Sequence, residues 1–203
     1  FKCDWSSDVC SSDLPWNSFP DMVAAAKKDP DNLAYATGGS GTVAHMSMKL
    51  VEQHFGIRLR QVPYRGGAPA AQDLLAGHVP MMVGSVTALG GFVKDGKARA
   101  LVQTGATRHP LLPDTPTLSE VGMKDFQAAA WIGIFVPSAS ADPIVTRFNS
   151  ELKTVLQDSW VRERLAAVGV QIVASTPEEL GAHVKSEMTR WADVVKRYNI
   201  KAE

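Results

Sequence analysis

The 203-residue chain balances 21 Lys+Arg against 21 Asp+Glu, with 45% hydrophobic and 21% charged residues. Zero net charge without a basic cluster excludes the electrostatic footprint of a nucleic-acid binder. No apolar run approaches the roughly 20 residues that span a bilayer, so the chain is not itself membrane-inserted, and its length suffices for a real core.

The opening segment, residues 1–14, holds both cysteines, Cys3 and Cys10, among paired serines and has no usable period. It resembles the conceptual translation of a sequencing adapter, so residues 1–14 are expected to be non-native and disordered. Neither His nor further Cys nearby completes a zinc set, and no metal or cofactor is expected. The polar, Ser-rich opening does not read as a signal peptide.

A short apolar strand at Leu33–Ala36 runs into the loop Thr37-Gly-Gly-Ser-Gly-Thr42. That loop opens an amphipathic helix with Met46, Leu50, Val51 and Phe55 on one side and Gly56 past its end. Glycines let backbone approach a ligand closely, and the first N–H groups of a helix lack intrahelical partners. With the positive end of the helix dipole, they make a site for a carboxylate or phosphate. An N-cap joined to a flexible turn is the plainer reading of the same residues. The better-known phosphate and nucleophile motifs fail here: no Lys follows Gly41, Ala44 stands where a dinucleotide fingerprint needs its third glycine, and Thr42 occupies the last glycine of a hydrolase elbow.

Strand and helix signals then alternate. Strands are expected at Ile57–Val62, Val79–Val83 and Ala98–Thr104. Helices are expected from Pro69 to Ala76 and over Val86–Lys94. This order predicts an α/β fold with a mainly parallel sheet and helices on both faces. In such sheets ligands bind beyond the carboxyl ends of the strands, where residues 37–42 fall. A proline-punctuated loop, His109–Thr117, leads into a short helix ending near Gly122, and Ala128–Val136 reads as one long strand. Asp142 then caps a helix carrying Val145, Phe148, Leu152 and Leu156, and a second helical stretch ends at Gly169. Val170–Val173 reads as a strand, and Thr176-Pro-Glu-Glu179 is a capping box opening a helix to about Tyr198. One short strand and mostly helix cannot make a balanced α/β domain, which places a boundary near residues 128–136.

Among side chains, His45 stands within one helical turn of Thr42 and either faces a ligand or packs under the loop. Arg65, beside Tyr64 in a glycine turn, can pair a carboxylate in a fork geometry or remain a solvated arginine. Ser85 follows a buried strand and suits a ligand hydrogen bond as well as a helix cap. Trp131 reads as core or cleft lining, and Trp160 and Trp191 as helix-face packing. Ser40, His45 and Asp73 can be drawn as a triad, as in any chain of this size, and the chain is read as not an enzyme.

Several of these segments together resemble the Bug family, the periplasmic solute-binding proteins of tripartite tricarboxylate transporters. The resemblance rests on residues Tyr35–His45, Val62-Pro-Tyr-Arg-Gly66, Asp73-Leu-Leu-Ala-Gly77 and Leu112-Pro-Asp-Thr-Pro-Thr117. It continues through Trp131-Ile-Gly-Ile-Phe-Val-Pro137, Val161-Arg-Glu-Arg-Leu165, Thr176–Glu179 and Trp191. It implies a type II periplasmic-binding-protein-like fold, with a hinged cleft holding a small carboxylated molecule. Residues 15–130 would be the complete second lobe and residues 131–203 the closing part of the first, whose opening half and signal peptide are absent. The expected ligand-binding residues are Thr37, Gly38, Gly39, Ser40, Gly41, Thr42, His45, Tyr64, Arg65 and Ser85. The expected partners are the ligand and the transporter's membrane components, for a periplasmic monomer that binds no nucleic acid. The runner-up is the ligand-sensing domain of a transcription regulator of similar two-lobed architecture. Family members often carry acidic residues where Pro80 and Gly84 stand and Asn at Ser85.

Overall fold

The computed structural model describes residues 14 and 16–200, so the expectation for residues 1–14 lies outside it except at Leu14, which is half-buried against the main core. A three-stranded parallel sheet carries the fold, in the order β2–β1–β3: β1 is Ala34–Thr37, β2 Arg60–Pro63 and β3 Met81–Met82. Central β1 is completely buried, and its alternating side chains face different cores. Tyr35 joins the larger core with Met46, Val51, Leu118 and Trp191, while Ala36 joins a smaller one with Ala70, Leu74 and Val79. The helices bracket the sheet as the alternating order predicts.

Helix α1, Phe19–Lys28, escaped the sequence reading, although its signals are present. The Ser18 side chain accepts the Asp21 N–H, Pro20 sits in the first turn, and Phe19, Met22, Val23 and Ala26 line one buried face. Helix α2, Val43–Phe55, starts at Thr42, whose hydroxyl accepts the His45 N–H, and stops at Gly56 in the left-handed region. Helix α3, Gly67–Leu75, starts two residues before Pro69, and α4 occupies Val86–Lys94 as expected. The last three helices are α5, Asp142–Gln157; α6, Ser159–Ala167; and α7, Pro177–Arg197. Ala141, not Asp142, caps α5, whereas the capping box of Thr176 and Glu179 is fully formed.

Three expected strands are not built. Within 98–104, Gln103 alone pairs, in an isolated bridge to Thr117, and the helix expected before Gly122 is a run of turns. The expected strand Ala128–Val136 does not form, with Ile132 90% and Phe135 65% exposed, and Val173 of the expected 170–173 strand is 85% exposed. Alternation marks a segment suited to a sheet, but a strand exists only when a neighbour supplies its ladder. Helices α5 and α6 likewise bury no residue completely, and Trp160 is 63% exposed where packing was expected. Helix α7 is different, because Trp191 and Val194 enter the main core beside α2.

The turn before residue 122 is held by charge. Both Glu120 oxygens accept from Arg108 Nε at 3.1 Å, and Oε2 also accepts the Thr117 N–H at 2.7 Å. These bonds, the arginine's first, lower the Glu120 carboxyl from about 4.5 to about 2. A carboxyl lowered by folding stabilises the native state above its unfolded value, and that contribution fades as pH falls from about 4.5 to about 2. Glu120→Gln is therefore expected to flatten the fall of the thermal midpoint within that window. An unchanged acid limb refutes the assignment.

Candidate functional site

Because all three strands run parallel, their carboxyl ends share one edge, and residues 38–42, 64–66 and 83–85 leave the sheet there. The first two loops are stitched together: Tyr64 N–H donates to Thr37 O at 2.9 Å and Gly66 N–H to Gly38 O at 3.2 Å. A Cβ on Gly38 would stand 3.3 Å from both Gly66 C and Gly67 N, so glycine there permits the close approach. The third strand joins through Val83 N–H to Ala36 O at 2.9 Å, and Gly67 lies against Ala88 of α4.

The Thr37–Thr42 loop is ordered by its own hydroxyls. Fully buried Thr37 accepts Gln61 Nε2 at 2.8 Å and donates to Gly39 O, to which Thr42 also donates, at 2.9 Å. Gly41, at φ +76°, gives its N–H to His45 Nδ1 at 3.2 Å. The buried His45 ring thus packs under the loop. Among the described residues, no acceptor meets the N–H groups of Ser40, Val43 and Ala44, which lead into the 13-residue α2. That leaves a half-exposed set of donors at the positive end of a helix.

The remaining candidates divide. Tyr64 contributes its backbone to the stitched loops, but its hydroxyl donates to Asp73 Oδ2 at 2.6 Å. The bond to Tyr64, then His78 at 3.2 Å from the other oxygen, holds the Asp73 carboxyl below its usual range, and the same bond raises Tyr64. Asp73 therefore pairs with Tyr64 and His78, not with His45. Arg65 is exposed at the loop edge, and Ser85 is exposed with its hydroxyl 2.5 Å from that of Thr87. Gln61 and Asp73 order the loops but were not singled out for that role. A lone glutamine or aspartate on a polar face carries no spacing that advertises an intramolecular partner. Two open depressions, of about 570 and 420 Å³, lie instead along residues 106–127 and touch none of the ten expected ligand residues.

A family model described as "Tripartite tricarboxylate transporter family receptor", TctC, matches residues 6–200. The chain belongs to the TctC family. Among curated relatives, a UPF0065 protein from the tcbD-tcbE intergenic region of Pseudomonas sp. strain P51 is 34% identical over 195 residues. The match covers 96% of this chain but 58% of that protein, so the chain spans little more than half of its relative's length. The structure of the periplasmic binding protein BugD superposes with a TM-score of 0.85 at 30% identity, over 94% of this chain and 64% of that one. MatC from Rhodopseudomonas palustris, solved with bound malate, superposes with a TM-score of 0.77 at 31% identity, over 89% and 63% of the two chains. The TctC and Bug proteins are periplasmic solute-binding proteins and not enzymes, and the α/β architecture found here is theirs. These comparisons lend no support to the regulator reading.

Proposed function

We propose that this TctC chain is part of an extracytoplasmic binding protein that captures a small dicarboxylate for a tripartite tricarboxylate-type transporter. In this reading residues 15–130 form one lobe and residues 131–203 belong to a second, with the ligand between them. The unpaired N–H groups of Ser40, Val43 and Ala44 on the shared strand edge carry the proposal. A carboxylate set there accepts several charge-assisted N–H bonds, each worth about 1.5–3 kcal/mol, at the favourable end of a helix dipole. Thr37, Gly38, Gly39 and Thr42 shape the cradle, Gly41 and His45 hold its backbone, and Tyr64 braces it from the second loop. Exposed Arg65 and Ser85 stand where a second carboxylate or a hydroxyl of the ligand can meet them. The relative with bound malate supports the ligand class.

Amide chemical shifts followed during titration with malate test the reading. Shifts are expected to concentrate at residues 38–45 and 64–67. Gly41→Pro removes the N–H that His45 holds and forces φ negative where the loop uses +76°. It should weaken the response at least tenfold with the spectrum otherwise folded. Malate shifts that avoid these loops, or that survive Gly41→Pro undiminished, refute the cradle.

A further inference from the structure

The proline-punctuated loop makes one bond that reaches far along the chain: His109 Nε2 lies 3.2 Å from Gly169 O, across 60 residues. The same ring receives the Leu111 N–H at Nδ1, at 3.1 Å. A backbone N–H only donates, so Nδ1 is the acceptor, and the neutral ring carries its proton on Nε2, facing the carbonyl. Gln103 fixes the loop beneath. Its amide oxygen accepts the His109 N–H at 2.8 Å, and its Nε2 donates to Leu112 O and Thr115 O.

Gly169 is the left-handed stop of α6, at φ +78°, with Val170 N–H bonded back to Leu165 O and Gly169 N–H to Ala166 O. A Cβ there would lie 3.0 Å from Val86 Cγ1 and 3.4 Å from Leu111 Cδ1. Val86 is the first residue of α4, and its neighbour Ser85 stands on the strand edge of the candidate site. Three elements therefore meet at one glycine: the start of α4, the His109 loop and the end of α6.

We infer that His109 and Gly169 form a latch that holds the end of α6 against the ligand-loop side of the molecule, next to Ser85. This rests on the division into lobes at residue 130. His109 touches no ligand; it is a positioning residue, and its bond biases the lobes toward the closed arrangement before any ligand arrives. Without a side chain, Gly169 lets α6 approach α4 closely enough for the bond to form.

Spin-label distances test the latch in the full chain, with Cys3 and Cys10 replaced by serine and labels at Lys94→Cys on α4 and Glu163→Cys on α6. A single narrow distribution is expected for the parent chain. His109→Ala should raise the population at longer distance about two- to tenfold, the shift that one hydrogen bond supports. His109→Gln keeps a donor and should restore the parent distribution. Leu111→Ser removes the apolar side of the contact and provides a second readout with the histidine intact. Parent-like distances in both His109→Ala and Leu111→Ser overturn the latch, and so does a glutamine variant as broad as the alanine one. No ligand is present in these measurements, so a failure of the malate titration and a failure of the latch are separate results.

Discussion

Brief digestion with a broad-specificity protease is expected to cut this chain first between residues 131 and 173, while the core built by α1, β1, α2 and α7 resists. The intervening segment presents Ile132, Ile134, Phe135, Val136, Phe148, Val155, Trp160 and Val173 to solvent, each more than 40% exposed. Fully burying one such side chain contributes about 1.5–3 kcal/mol, against roughly 5–15 kcal/mol for a whole domain. A stretch that forgoes several of these terms opens locally far below the cost of global unfolding. Helix α7 is exempt because Trp191 and Val194 are buried and Tyr198 donates to Gln53 on α2. Fragments ending near residue 130 should therefore stay associated with one containing α7. Resistance of residues 131–173 equal to that of the core defeats this expectation.

Trp191→Ala is expected to undo that anchorage. The indole is 7% exposed, donates from Nε1 to Glu187 Oε2 at 2.8 Å, and lies under the Arg190 guanidinium at 4.8 Å. Removing a buried Trp leaves a cavity as well as losing transfer energy, about 3–5 kcal/mol in all. At roughly 2–4 °C per kcal/mol for a chain of this size, the thermal midpoint should fall by about 6–20 °C. The same replacement at Trp160, 63% exposed on α6, should move it by no more than about 2 °C. Equal shifts at the two tryptophans contradict the division between the buried Trp191 of α7 and the exposed Trp160 of α6.

What could be read in advance follows physical locality. Helices α2 and α7 declare themselves through caps, apolar spacing and stop residues that interact within a few positions, and α4 through its apolar run before the Asp95-Gly96 turn. The family resemblance rested on loops such as Tyr35–His45 and Val62–Gly66, where glycine and threonine sit because backbone must approach backbone. The strands failed where a partner was required: Ala128–Val136 is apolar enough to read as a strand, yet nothing in its own letters states whether a neighbour is present. The unpaired N–H groups at the start of α2 followed from helix geometry, whereas the Tyr64–Asp73 and Gln61–Thr37 bonds span 9 and 24 positions and have no local signature. Helix α1 carries legible signals, with Ser18, Pro20 and Asp21 in order, next to a segment whose composition has no period.

The attachment of α7 to α2 also orders events during synthesis. Tyr198 and Gln53 are 145 residues apart, and Trp191 completes a core whose other members were made long before it. At roughly 5–20 residues per second, a ribosome takes on the order of ten seconds to supply that last helix. Until then the main core that includes Met48 and Val51 of α2 lacks Trp191 and Val194. The nascent protein thus carries an open flank for most of its translation. Holdase occupancy of that flank should end when α7 clears the exit tunnel, not when the sheet closes.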